Sequence, residues 1–328
     1  MGRVMGVAGF VFMVFQLVLT GPAVSAPRQL SMVVGTQAGT MTRLGTGIMD
    51  VFNKASKEAK VTLVPGGGRA NPERLGGGGA DFGFTFSSFA YSAYNGKAPF
   101  KKSFKNLRGV IKLWDSVYHQ YIGKEVYEGG IRSWEDIVKS KRPLGLGLAS
   151  RGTSTEYLSR SIVAALGSSY ADLQKRGFKL TFTGIGESSR DYRGKQIDAF
   201  FHNAGAPNAA GLQAILGRST VFMEMSKPIM EKLKGLGFSE MSIPANTYKG
   251  IAKAAYSVGD SGVLLTTDKM DPAVVYSLLK ITHESKKTLV NVHSTFKQMD
   301  PKMSWKVTGV PLHEGAKRYY SEQGVKVN

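Results

Sequence analysis

Four short segments concentrate the residues able to grip a small polar molecule: Thr36–Thr42, Gly66–Asn71, Thr85–Ser88 and Arg151–Thr155. Each mixes glycines, which let the backbone come close to a guest, with hydroxyls that both donate and accept hydrogen bonds. Backbone N–H, hydroxyl and arginine together suit a carboxylate. One such loop alone is ordinary turn and cap chemistry; the recurrence at comparable places points to a binding crevice. Enzyme signatures are missing. The chain has no Gly-x-Ser-x-Gly elbow, no His-Glu-x-x-His and no Walker loop, and Gly76–Gly79 lacks the Lys-Ser/Thr ending of a phosphate loop. Its five histidines are scattered, although His119 and His202 fall near predicted strands. There is no cysteine, which removes disulfides and thiolate metal sites, and no cofactor is expected.

These loops need a scaffold that puts them on one edge. A short apolar strand over Leu30–Val34 runs into Gly35 and Thr36. A helical pattern follows, with Leu44, Ile48, Val51 and Phe52 on one face. Further strands are predicted at Val61–Val64 and Ala80–Phe86, with Gly76–Gly79 as a flexible turn between them. The same order restarts with a strand at Leu144–Leu148, its loop, a helix through Tyr157, Leu158, Ile162 and Leu166, and a strand at Ile197–Phe201. Strand, small-residue loop, helix, strand is the pattern of an α/β domain with a mostly parallel sheet, and its repetition predicts two lobes. In such sheets ligands sit beyond the carboxyl ends of the strands, where helix N-termini present bare N–H groups. Asp271-Pro272 is a predicted cap opening a late helix with an apolar stripe at Val274, Val275, Leu278 and Leu279.

The N-terminus reads as an export signal. Arg3 precedes an apolar run from Val4 to Leu19, and small residues close the segment at Ala23–Ala26. The run is short for a membrane span, and cleavage is expected after Ala26 or Ala23. The remainder, 42% apolar over the whole chain, can support full cores. A formal net charge of +19 favours anionic partners. The charges are dispersed, and no nucleic-acid module is present; a nucleic-acid partner is not expected.

The same segments carry a family likeness. Val34–Thr40, Ala80–Phe84, Ala90–Gly96, Asn106–Arg108, Gly152–Glu156, Gln196–Phe200, Ala204–Asn208 and Val310–Tyr320, in that order, resemble the TAXI family of TRAP-transporter solute receptors. The resemblance implies a type II periplasmic-binding-protein fold, with two α/β lobes joined by two crossing strands near Val117–Tyr121 and Thr220–Met225. Residues 1–26 are then the signal peptide, 27–118 the first part of lobe 1, 119–223 lobe 2, and 224–328 the return into lobe 1. It also implies a periplasmic protein, not an enzyme, that delivers a small carboxylate (an amino acid or organic acid) to the membrane subunits of an ion-coupled transporter. A periplasmic enzyme or a sensor domain on the same fold is the alternative.

The expected ligand-binding residues are Thr36, Gly39, Thr40, Thr42, Arg69, Ser87, Ser88, Thr153, Ser154, Thr155 and Asn203. Three of these depart from the family pattern. Arg69 stands where a small residue is usual, Ser87-Ser88 where a Ser-Asp pair is common, and Asn203 where Thr is frequent. An added cation and a missing carboxylate both favour an anion, with Arg69 as its expected partner. Phe86 and Trp114 are departures that could reshape the pocket.

Overall fold

The computed structural model describes Gly2, residues 26–35 and residues 39–327; most of the expected signal segment lies outside the described residues, as does Thr36. Within them a single sheet carries β1 (Arg28–Val33), β2 (Ala59–Val64), β3 (Phe82–Phe86), β4 (Leu107–Gly123), β5 (Gly145–Gly147), β6 (Lys179–Thr181), β7 (Ala199–Ala204), β8 (Thr220–Phe222), β9 (Ser239–Ile243) and β10 (Ala255–Thr267). Their spatial order is β2-β1-β3-β10-β4-β7-β5-β6, with β8 on β4 and β9 on β10.

The two ends of this sheet are built alike. β1 pairs in parallel with β2 and β3, and β5 with β6 and β7. Aspartates fix the same joint in each. Asp81, just before β3, accepts from Ser31 N of β1 at 2.8 Å, and Asp198, just before β7, accepts from Gly145 N of β5 at 2.7 Å. Such carboxylate-to-amide bonds are charge-assisted and fix strand register at the entry of the third strand. The mixed α/β fold with two similar units is as the sequence pattern requires.

Two long antiparallel strands join the ends. β4 pairs with β10 from Leu107↔Thr267 to Val117↔Gly259, and then continues from Val117 to Ile122 against β7. One strand thus serves both units, and Val117–Tyr121 lies at the handover. The segment Thr220–Met225 forms β8 and then touches both long strands, through Met223 N to Gln120 O at 3.0 Å and Met225 N to Tyr256 O at 3.1 Å. The chain passes through the helix Lys227–Lys234 and the β9–β10 pairing before β10 runs beside β3.

Local chemistry accounts for the flanking elements. The helix Thr40–Ala55 buries Leu44, Ile48 and Phe52 against the sheet. The helix Pro272–Glu284 opens on Asp271, whose side chain accepts from Ala273 N at 2.9 Å, and buries Val274, Val275, Leu278 and Leu279. The glycine run is less free than a flexible turn. Gly76 ends the helix Asn71–Gly76, and a side chain there would drive into the ring of Phe104.

Close approach is strictest where the long strands cross. A Cβ on Gly259 would collide with the Ser116 carbonyl oxygen and the Met241 sulfur. Gly259→Ala should therefore lower unfolding free energy by about 1–3 kcal/mol, the usual range for overpacking. Denaturant titration with an unchanged m-value checks this.

Candidate functional site

The carboxyl ends of β1 and β3 are gathered by one buried residue, Asn71. Its Nδ2 donates to Val34 O at 2.8 Å and to Phe84 O at 2.7 Å, while its Oδ1 accepts from Gly67 N at 2.9 Å. Asn71 thereby sets the loop that carries Gly68 and Arg69. Gly68 lies against Phe86 and against Met41, in the first turn of the Thr40–Ala55 helix. The loop bearing Arg69 thus lies beside the side chain of Met41, from the same helix turn as Thr40 and Thr42. Arg69 is exposed and has no hydrogen-bond or ion-pair partner among the described residues. The Thr40–Ala55 helix starts on Gly39, with no side-chain cap among the described residues and no acid in its first turn, so its terminal N–H groups favour an anion. Phe86 and Trp114 meet edge to face at 6.0 Å, and the indole covers Gly262, where no side chain would fit.

The matching edge of the second unit behaves differently. Thr153 caps the helix Ser154–Ala165, accepting from Glu156 N at 3.3 Å and donating to Ser150 O at 2.7 Å. Glu156 bends back to accept from Gly152 N at 3.4 Å, close to a reciprocal capping box. Ser154 and Thr155 are buried and bound to Asn203: Asn203 Nδ2 donates to Ser154 Oγ at 3.3 Å, and Asn203 N to Thr155 Oγ1 at 3.0 Å. Among the described residues Asn203 Oδ1 is buried without a partner. The two edges touch at Tyr157, whose hydroxyl donates to Ala98 O at 2.9 Å and whose ring lies 5.2 Å from that of Phe89.

Ser87 and Ser88 are already engaged. Both are fully buried and donate to Asp260 on β10, Ser87 Oγ to Oδ1 at 2.6 Å and Ser88 Oγ to Oδ2 at 2.5 Å, with Ser88 N adding a bond of 3.0 Å. Asp260 stands at the start of the helix Ser87–Asn95 as an internal anion. A carboxylate near these serines is thus present after all, supplied from a distant part of the chain. With Asp260 bound to both hydroxyls, Ser87 and Ser88 have no hydroxyl proton left to donate to a ligand anion.

A cavity that the motifs did not indicate lies where the long strands meet. It is lined by Lys112, Asp115 and Val117 of β4, Ser261 of β10, Gly205 and Ala206 after β7, and Lys306 from the last part of the chain. Lys112 Nζ pairs with Asp115 Oδ2 at 2.7 Å, and Ser261 Oγ donates to Asp115 Oδ1 at 2.6 Å. Isolated charges on strands leave no sequence signal of this kind.

Residues 32–324 match the NMT1-like family. The chain belongs to that family. Among solved structures, it is similar to XAC2383 from Xanthomonas citri bound to ATP, with a TM-score of 0.50 at 10% identity over 91% of this chain and 95% of that one. MatC from Rhodopseudomonas palustris with bound malate gives a TM-score of 0.48 at 11% identity, over 82% and 88% of the two chains. The alkanesulfonate-binding protein SsuA from Xanthomonas axonopodis pv. citri gives 0.41 at 15%, over 90% and 84%. Likenesses this distant concern the fold alone.

In this NMT1-like chain His119 and His202 face each other across β4 and β7, with ring centroids 6.1 Å apart. His119 Nδ1 lies 2.9 Å from Val117 O, which can only accept, so Nδ1 carries the proton and Nε2 accepts from Tyr248 OH at 2.8 Å. Tyr248 OH in turn accepts from Asn208 N and Nδ2, at 3.1 and 2.9 Å. Both imidazoles are buried and neutral at pH 7, and His202 Nδ1 has no hydrogen-bond partner among the described residues. Burial lowers the pKa of His119 to about 4 and that of His202 to about 3. Burial acts oppositely on Asp260, raising it to about 6.

The pH dependence of stability follows from these directions. Each histidine binds a proton more readily when unfolded, so its contribution is complete above about pH 6.5 and is lost as pH falls toward 4. Asp260 opposes this, because its folded form holds a proton between about pH 4 and 6 that the unfolded form releases. Replacing His202 by Gln should therefore reduce the rise of stability with pH between 4 and 6 by about 1.4 kcal/mol per unit. Denaturant titrations at a series of pH values measure that slope.

Proposed function

We propose that this protein is an exported solute-binding receptor that holds a small carboxylate between two lobes and presents it to the membrane subunits of a TRAP-type transporter. Residues 1–26 would be the export signal, and residues 27–118 with 224–328 would form one lobe around 119–223. The observation that carries this reading is the pair of similar sheet halves joined by β4 and β10. Membership of the NMT1-like family agrees with it. Chemistry on the bound solute is not part of the proposal.

The ligand carboxylate would meet the Thr40–Ala55 helix start, through Gly39, Thr40 and Thr42, with Arg69 as counter-ion. That helix has no side-chain cap among the described residues, whereas Ser154–Ala165 is capped by its own Thr153 and Glu156. The second lobe would therefore supply Ser154, Thr155 and Asn203 more as a closing wall than as an anion site. Ser87 and Ser88 would act through Asp260, holding the first lobe to β10. Phe86 and Trp114 would give the ligand an apolar floor. A ligand that touches both lobes favours the closed state by the contacts it gains there.

Protein purified from its own cells should carry a small acid visible by native mass spectrometry. Titrating that molecule into stripped protein should give tight binding, and Arg69→Ala should weaken it about tenfold or more, as expected for a lost charge-assisted pair. Unchanged affinity in Arg69→Ala would remove Arg69 from the site. Conversion of the molecule to a product during incubation would favour an enzyme instead.

A further inference from the structure

The helix Ala209–Ile215 and the residue after it turn two leucines outward. Leu212 and Leu216 are 43% and 78% exposed, and a four-residue spacing stacks them on one face. Single exposed leucines are common on soluble proteins; a stacked pair with basic residues beside one end is a different feature. Lys124 and Lys249 rim a surface depression together with Ile215, the neighbour of Leu216. The stem of Arg193 lies against Gly217, where an added Cβ would stand 2.9 Å from Arg193 Cγ. All three basic residues are exposed. Glu125 and Glu128 are paired with Arg218 and Lys124, and the acids of the adjoining helix Ile185–Arg193, Glu187 and Asp191, have no ion pair among the described residues.

We propose that this patch docks on an anionic lipid surface, Leu212 and Leu216 entering the acyl boundary while Lys124, Arg193 and Lys249 meet headgroup phosphates. The residue types favour lipid over a protein partner. Lysine is depleted at protein interfaces, and leucine is under-represented among their anchors, which are mostly Trp, Tyr and Arg. Lysine stems instead suit a membrane boundary, because they lie along apolar surface while the ammonium stays in water. The chain's formal net charge of +19 adds attraction to the same surface. Solute binding is not needed for this surface to act. For a transporter's receptor, docking would confine the search for membrane subunits to the plane of the bilayer.

The test is co-sedimentation of the exported protein, purified without the expected signal segment, at physiological salt, with vesicles of phosphatidylcholine alone or mixed with phosphatidylglycerol. Binding is expected only to the mixed vesicles. Leu212→Ser with Leu216→Ser should weaken it about 10–100-fold, and Lys124→Glu with Lys249→Glu by about fivefold or more per charge. Reversing Lys175 and Lys302, exposed lysines elsewhere, serves as the control for general charge. Circular dichroism melts confirm that each variant is folded. Absence of binding to mixed vesicles, a leucine variant that binds like the parent, or a control that loses as much as the patch variant would overturn the proposal. So would binding to native membranes that protease treatment abolishes and protein-free vesicles do not reproduce, which would assign the patch to a protein partner.

Discussion

A buried carboxylate on a crossing strand holds the molecule in register. Asp260 lies out of solvent, where a charge costs several kcal/mol unless its hydrogen bonds are complete. Ser87, Ser88 and the Ser88 amide complete them, and these donors belong to the start of the helix that follows β3. One residue of β10 therefore ties three things together: the end of β3, the Ser87–Asn95 helix, and the level at which β4 leaves for the second unit. On the neighbouring position Ser261 repeats the device with Asp115 of β4. The crossing is stitched by polar bonds that run from adjacent residues of β10 to its two neighbours, and it is packed against Trp114 at Gly262.

Symmetry on either side of the crossing extends to single atoms, yet the two edges are not chemically equal. Asp81 and Asp198 perform the same task at equivalent strand entries. The helix starts differ. Thr153 and Glu156 satisfy one of them internally, while the other begins at Gly39 with no acid in its first turn and no side-chain cap among the described residues. Equal scaffolds with unequal edges suit a guest whose charge is held mainly by one half and enclosed by the other.

Much of the scaffold was legible because it rests on local pattern. The apolar periodicity of Leu44, Ile48 and Phe52, the Asp271-Pro272 cap and the repeated strand–loop–helix order each involve neighbours in sequence. β10 was not singled out, since Gly259-Asp260-Ser261-Gly262 in its middle reads as a turn; the strand exists because β3, β4 and β9 supply partners. Ser87 and Ser88 looked like ligand groups for the same reason. Their partner, Asp260, is more than 170 residues away, a distance no local pattern spans. Asn71, which gathers three backbone segments, carried only the hint of a Gly-rich loop ending in Asn-Pro. Thr153, expected among the ligand groups, instead caps its own helix, because the Glu156 amide that its hydroxyl meets lies only three residues on.

Ligand-driven approach of the two halves is the central claim, and a distance measurement addresses it directly. The chain has no cysteine, so spin labels can be placed at Glu73→Cys and Lys175→Cys, exposed positions on the two sides of the crossing, and read by pulsed electron resonance. The molecule released from the native protein should shift the distribution to shorter, narrower distances, and its removal should restore the original. Saturation with that molecule accompanied by an unchanged distribution would contradict the account.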